Sequence, residues 1–255
     1  MEISPALRRQ LAGYTWRRDT RGMSPATVVR LDKPGETLYM KASPPTCTGT
    51  TYDVHREAQA TRWLAGWAHV PRVLHYEETG GWHTMVMTAL PGEPIDAFLE
   101  RGEVEAAVGH YARAVRLLHS IPVRECPLYA GVSLRLQELD LLLQRGMAST
   151  GDWEPDTPFA TAEELAAWLH SHAPPEEPAV SHGDISNMMV YRGEPYFFDL
   201  GRCGVADRYG DPAFVLRELR GAERASFWAE EFLRQVGLPA NEEKLRYFLL
   251  LDELF

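Results

Sequence analysis

Hydrophobic and polar positions follow two different periods along this chain. Thr27 to Leu31 and Thr37 to Lys41 are β-prone runs flanking Asp32-Lys33-Pro34-Gly35-Glu36. The Pro-Gly turn chemistry of that insert predicts a hairpin. From Tyr52 to Ala65 the period changes: Val54, Ala58, Thr61 and Ala65 recur at helical spacing, and Val70-Pro71 cannot continue the helix. Val73 to Glu77 and Trp82 to Thr88 predict a second hairpin across Gly80-Gly81, and Leu90-Pro91-Gly92 reads as a connector. Beyond it the pattern is mainly helical. Val104, Val108, Tyr111, Val115 and Leu118 line one face of a long helix, and further helices are expected over Ser133 to Gln144 and Glu163 to His172. An acidic loop from Trp153 to Phe159 separates the last two. Short strands at Met188 to Tyr191 and Tyr196 to Phe198 interrupt the helices, and Asn241 is placed to cap the last one. The pattern predicts an α+β chain in two parts, a small sheet-rich one over residues 1–90 and a larger, mainly helical one over 91–255.

Charge sharpens this division. The first 150 residues carry 17 basic and 16 acidic side chains, whereas the rest carry 9 and 20, and the whole chain has a net charge of −10. An acidic second half argues against a nucleic-acid partner and suits a cationic small molecule. No apolar run approaches the ~20 residues of a membrane span. The opening residues lack a basic stretch followed by an apolar one, so no membrane partner and no secretory leader are expected. Cys47, Cys126 and Cys203 are too scattered for a metal knuckle or a disulfide framework, and read as free thiols in a reducing cytoplasm.

The chemistry concentrates in Ser181-His182-Gly183-Asp184-Ile185-Ser186-Asn187 and in Phe198-Asp199-Leu200-Gly201-Arg202. Phosphoryl transfer needs a carboxylate near the attacking hydroxyl and oxygen ligands that hold Mg²⁺ on the phosphates. Asp184 suits the first role, and Asn187 and Asp199 the second. Each residue alone would pass as turn chemistry; their order, with a strand hairpin between them, points to a kinase. Lys41 on a strand and Glu57 on the following helix fit a phosphate-gripping pair, although either one alone would be an ordinary surface charge. Gly22-Met23-Ser24-Pro25 could cover phosphates with backbone N–H groups, without being a GxGxxG motif.

These segments, together with Gly49 to Val54, Arg56-Glu57, His119-Ser120-Ile121, Asp156 to Phe159 and the run Leu250 to Phe255, resemble the aminoglycoside 3′-phosphotransferases over essentially the whole chain. The resemblance implies a bilobal protein-kinase-like fold with a nucleotide-binding N-lobe and a catalytic C-lobe. It implies ATP and Mg²⁺ as cofactors and an aminoglycoside antibiotic as acceptor, phosphorylated at its 3′-hydroxyl. By resemblance Asp184 is the catalytic aspartate, Asn187 and Asp199 bind magnesium, and Lys41, oriented by Glu57, grips the phosphates. Ser24 belongs to the phosphate loop, Tyr39 stacks on adenine, and the segment Met87, Thr88 to Leu90 offers it backbone hydrogen bonds. Asp252, Glu253 and the carboxylate of Phe255 receive the drug's ammonium groups, with Arg202 and Glu154 nearby. The expected state is a monomer or weak homodimer. One departure stands out: the family places four residues between the catalytic Asp and the Asn, whereas only Ile185 and Ser186 lie between them here. A kinase of another small alcohol on the same fold is one alternative to this reading, and the shortened loop motivates a second, a catalytically impaired nucleotide- or drug-binding relative.

Overall fold

In the computed structural model, residues 1–20, 24–148, 150–151 and 153–255 are described. Among them, an antiparallel sheet of β1 (Thr15–Asp19), β2 (Thr27–Lys33), β3 (Glu36–Ser43), β4 (Val73–Thr79) and β5 (Trp82–Thr88) has the spatial order β1-β2-β3-β5-β4. Both hairpins form where turn chemistry placed them. Leu31, Met40 and Val86 point from this sheet into a small core closed by α1 (Pro5–Gln10), whose Leu7 is buried with them.

Helix α2 (Val54–Leu64) packs between two cores. Val54 and Ala58 meet Met85 under the sheet, while Ala60 and Leu64 belong to the main core of the C-terminal part. The sequence pattern assigned a single face. Thr61 is buried as expected, but Ala65 lies past the end of the helix and is exposed, because Leu64 takes the inward position. The helix begins at Val54 because the Asp53 side chain caps it, accepting from the His55 N–H. Such a cap is worth ~0.5–2 kcal/mol.

The C-terminal part starts with β6 (Glu93–Pro94), α3 (Asp96–Glu100) and the long α4 (Val104–Ser120). Val108, Tyr111, Val115 and Leu118 of α4 are fully buried at the centre of the large core. Around it lie α5 (Val132–Gln144), α6 (Ala162–Ser171), α7 (Gly210–Glu218), α8 (Ala225–Val236) and α9 (Glu242–Asp252). Asn241 caps α9 through the Lys244 N–H, as its position in the sequence predicts. Strand β7 (Pro178–Ser181) pairs with β10 (Gly204–Asp207), and β8 (Met188–Tyr191) with β9 (Glu194–Phe197). These short pairs hold the two chemistry-bearing segments: the residues between β7 and β8 are His182 to Asn187, and those between β9 and β10 are Phe198 to Cys203. No helix among the described residues is long and apolar enough to cross a membrane.

Candidate active site

Strand alternation puts Tyr39 and Lys41 on one face of β3. Tyr39 is half-buried and Lys41 is buried. The Lys41 Nζ lies 2.7 Å from Glu57 Oε2 and 2.7 Å from Asp199 Oδ1. A side chain from the sheet, one from α2 and one from the loop after β9 therefore meet at a single ammonium. Burial alone would lower the Lys41 pKa, but the two carboxylates outweigh it and raise it. Glu57 is also buried. Desolvation pushes its carboxyl up, Lys41 opposes this, and the Asp199 charge adds to the rise. The two directions agree physically: Lys41 faces two anions, whereas Glu57 faces one cation and a second anion.

Asp199 has the opposite balance. Crowding by the surrounding protein pushes its carboxyl up, and the Lys41 charge and hydrogen bond outweigh that and lower it. Its side chain is nonetheless 45% exposed, so one side of the carboxylate opens to solvent. Its backbone has φ 57°, a left-handed conformation in which a non-glycine residue is strained. The following Gly201 is needed for contact between the two parts of the chain, since a Cβ there would lie 2.5 Å from the Thr51 carbonyl oxygen.

The loop from His182 to Asn187 is held from below by Asp211, which is fully buried at the start of α7. Its carboxylate accepts from the His182 N–H at 2.7 Å and the Gly183 N–H at 2.8 Å. The His182 ring bonds the Phe198 carbonyl through Nε2 at 3.0 Å and the Asp184 N–H through Nδ1 at 3.2 Å. A carbonyl only accepts and an N–H only donates, so the imidazole is the neutral Nε2–H tautomer. Gly183 has φ +84°, and a Cβ there would lie 2.5 Å from Arg202 Cβ, so glycine alone lets the loop pass.

The two-residue spacing folds into a tight turn. The Asn187 N–H donates to the Asp184 carbonyl at 3.1 Å, and the Met188 N–H to the Ser186 carbonyl at 2.8 Å. The Ser186 hydroxyl donates to Asp184 Oδ1 and the Asn187 amide to Asp184 Oδ2, each at 2.7 Å. Both carboxylate oxygens are thus oriented and still keep lone pairs to accept a proton. The Asn187 Nδ2 is committed to Asp184, which leaves Oδ1 as the oxygen it can offer elsewhere.

At the end of β5 the Thr88 N–H is taken by the Arg72 carbonyl at 3.1 Å and the Ala89 N–H by the Thr37 carbonyl at 3.3 Å. Among the described residues the Leu90 N–H makes no hydrogen bond, while Met87 pairs with Tyr39 across the sheet. Ser24 is half-buried in the bend before β2. Gly22 and Met23 of the expected phosphate turn lie outside the described residues.

The C-terminal residues are also gathered here, with partners that sequence reasoning did not foresee. Asp252 accepts from Arg202 and, at 2.6 Å, from Arg217 Nη1. Burial raises its carboxyl, and the two guanidinium groups outweigh this and lower it. Its charge is therefore matched within the protein. Glu253 accepts from the Glu154 N–H at 3.1 Å and the Thr157 hydroxyl at 2.7 Å, tying the acidic loop to the end of α9. The Phe255 ring lies 3.6 Å from the Arg135 guanidinium and 5.5 Å from that of Arg202.

Two acids near Asp184 escaped the sequence reading. Desolvation, then Glu100 and Asp184, push the Asp96 carboxyl up. Desolvation also raises Glu218, against the Arg217 charge, with Asp96 and Asp184 adding to the rise. Asp96 comes close because the Ile95 N–H bonds the carbonyl of Met188, the residue after the loop, at 3.0 Å. No spacing in the sequence marks either acid. Among the described residues no group of three or more His, Cys, Asp or Glu side chains is arranged to hold a metal ion.

A model of the phosphotransferase enzyme family matches residues 15–248. An aminoglycoside 3′-phosphotransferase of Enterococcus faecalis is 40% identical, over 100% of this chain and 99% of its own length. Another, from Staphylococcus aureus, is 37% identical over the same shares. The crystal structure of an aminoglycoside-3′-phosphotransferase of type VIII superposes with a TM-score of 0.85 at 30% identity, covering 98% of this chain and 97% of that one. The fold is accordingly protein-kinase-like, with a sheet-rich N-terminal region and a helical C-terminal part.

Proposed function

The chain belongs to the aminoglycoside 3′-phosphotransferases of the phosphotransferase enzyme family, and from that membership we propose that it transfers the γ-phosphoryl of ATP to the 3′-hydroxyl of an aminoglycoside antibiotic. The observation that carries the reading is the meeting of Lys41 with Glu57 and Asp199, each at 2.7 Å, beside an Asp184 loop anchored on Asp211. In this reading residues 1–90 hold the nucleotide, and residues 91–255 carry catalysis and the acceptor.

Tyr39 stacks on the adenine, and the Met87 to Leu90 segment binds its edge, with the Leu90 N–H as the donor left over. Lys41 holds the α- and β-phosphates, and Glu57 keeps it in place. Ser24 lies in the phosphate loop. Asp184 orients the acceptor hydroxyl and takes its proton as the oxygen attacks the γ-phosphorus. The bond from that phosphorus to the β–γ bridging oxygen breaks, and ADP leaves. The open side of the Asp199 carboxylate and the Asn187 Oδ1 are hard oxygen donors, which suit Mg²⁺. Magnesium held there would supply charge neutralisation on the phosphates.

On the acceptor side, Glu154, Arg202, Asp252, Glu253 and Phe255 shape the pocket. Further negative charge near Asp184 comes from Asp96 and from Glu218, the latter 3.6 Å from Arg217, which suits an acceptor carrying several ammonium groups. A phosphorylated drug would carry new negative charge and bulk, which opposes binding to RNA and gives resistance.

The test is a coupled ADP-release assay with Mg²⁺-ATP and aminoglycosides that have or lack the 3′-hydroxyl. Turnover of kanamycin- and neomycin-like acceptors, with 3′-deoxy analogues much slower, is the expected result. Equal turnover of the 3′-deoxy analogues would remove the 3′ assignment, and turnover of neutral alcohols alone would remove the drug.

A further inference from the structure

Helix α2 carries Glu57 and so sets where Lys41 can stand. The far end of the helix is anchored by Ala60 and Leu64 in the C-terminal core. Its first turn has a different anchor. Arg56, adjacent to Glu57, sends Nη1 to Glu138 Oε1 at 2.5 Å and Nη2 to the Tyr129 carbonyl at 3.0 Å. Glu138 lies on α5, is 2% exposed, and shares its second oxygen with Arg135 Nη1 at 2.8 Å. Arg135, also buried, then stacks its guanidinium on the Phe255 ring. A line of contacts therefore runs from the helix that orients the phosphate-gripping lysine to the last residue of the acceptor side.

We propose that Arg56 and Glu138 are positioning residues for phosphoryl transfer: they lock the first turn of α2 onto α5, and so hold Glu57 and Lys41 in register with the acceptor side. The inference rests on the phosphotransferase reading above. Physically, Glu138 is one buried carboxylate between two guanidinium groups, each oxygen held by one charge-assisted N–H, while the other arm of the Arg56 fork holds the Tyr129 carbonyl. Val54 and Ala58 tie the start of α2 to the sheet, with the Val54 N–H on the Ser43 hydroxyl at 3.0 Å, and Ala60 and Leu64 tie its far end to the C-terminal core; the ion pair joins its first turn to α5. The neighbouring backbone is consistent with a fixed joint: the Arg145 guanidinium donates to the Thr46 and Thr48 carbonyls, which holds the segment leading into α2 on the end of α5.

The test compares wild type with Arg56→Lys, Arg56→Gln, Glu138→Gln and the double variant Arg56→Gln/Glu138→Gln. KM for ATP, KM for the aminoglycoside and kcat are measured well below each variant's melting temperature, together with the dissociation constant of a non-hydrolysable ATP analogue. Misplacing a catalytic group from a distance can cost up to ~10²-fold. We expect kcat/KM for ATP to fall on the order of tenfold to a hundredfold in Arg56→Gln, with a smaller change in the aminoglycoside KM. Arg56→Lys keeps the charge and should retain part of the loss-sensitive rate. The double variant should be about as slow as the worse single one, because both changes cut the same link.

Folded variants with wild-type constants would overturn the proposal. So would single losses that multiply in the double variant, or losses confined to the aminoglycoside KM. Arg56→Lys and Arg56→Gln serve if Glu138→Gln fails to fold, since Arg56 is at the partly open end of the pair. If wild type turns over no aminoglycoside, it is the functional reading that fails, and the ATP-analogue affinities of the Arg56 variants still decide the proposal: an unchanged affinity rejects it and a weakened one upholds it.

Discussion

Around Lys41 one cation stands between two anions, and around Asp252 one anion stands between two cations. Lys41 is shared by Glu57 and Asp199, whereas Asp252 is shared by Arg202 and Arg217. The two triads have similar chemistry and opposite surplus. The first leaves negative charge that is open to the cleft through Asp199, which suits metal-bound phosphate. In the second, Asp252 is taken up by two guanidinium groups, one of which also lies 3.6 Å from Glu218, so the attraction for a polycation has to come from elsewhere, and Asp96 and Glu218 are the acids whose carboxyls respond to Asp184. A motif match names the residues on both sides; the surplus depends on who pairs with whom.

The largest effect should come from the residue between the triads. Asp184→Ala is expected to lower kcat by ~10²–10⁴-fold, as loss of a general base does, with ATP affinity nearly unchanged in a binding titration. Near-normal turnover would mean that the loop is misassigned. Next come the centres of the triads themselves. Lys41→Met leaves Glu57 and Asp199 without their cation, and Asp252→Asn removes the carboxylate shared by Arg202 and Arg217, of which Arg217 still has Glu218 at 3.6 Å. Breaking a buried pair costs ~3–5 kcal/mol, and a denaturant titration should register a loss of that order for each. If the comparison is right, the kinetic damage divides: Lys41→Met acts on the ATP KM and kcat, and Asp252→Asn on the aminoglycoside KM. A shared effect on both would blur the two sides into one.

Acidification sharpens the contrast by a smaller amount. The native Asp252 pKa lies below the ordinary aspartate value of 3.8. Its contribution is therefore full above that value and is lost as pH falls through the native pKa. The melting-temperature gap between wild type and Asp252→Asn should hold at neutral pH and narrow below about pH 3.8, the ordinary value; a gap that does not change with pH would mean that Asp252 is not held ionised by its arginines. For Glu218, whose carboxyl is raised, the binding effect is lost in the same direction but at higher pH. Its anion is fully formed only above its raised pKa, so the aminoglycoside KM should climb on acidification sooner in wild type than in Glu218→Gln. The smallest effect is structural: Asp53→Ala removes the cap of α2 and should cost ~0.5–2 kcal/mol, read as a drop in melting temperature.

Much of this was legible in the residues because local chemistry decides it. The hairpins at Pro34-Gly35 and Gly80-Gly81, the apolar face of α4 and the Asn241 cap depend on neighbours a few positions away, and they form as the pattern predicts. Lys41, Glu57 and Asp199 were legible as a set through resemblance, and the structure brings them together. Asp211 was not, because an aspartate at a helix start reads as ordinary capping chemistry until the loop it supports is folded above it. Asp252 shows the same limit from the other direction: its identity was plain, but Arg217 lies 35 positions away and nothing in the spacing announces the pair. Arg56 and Glu138 are 82 positions apart, and each looks like a surface charge on an amphipathic helix.

Asp184 is expected to direct the γ-phosphoryl to one hydroxyl of an aminoglycoside. The most direct measurement is a ¹H–³¹P correlation spectrum of the product made from kanamycin and Mg²⁺-ATP by the wild-type enzyme. A phosphorus signal coupled to the proton on the 3′-carbon, absent from the product mixture of Asp184→Ala over the same time, is the predicted result. A phosphate on a different carbon, or no phosphorylated drug from the folded wild-type protein, would contradict it.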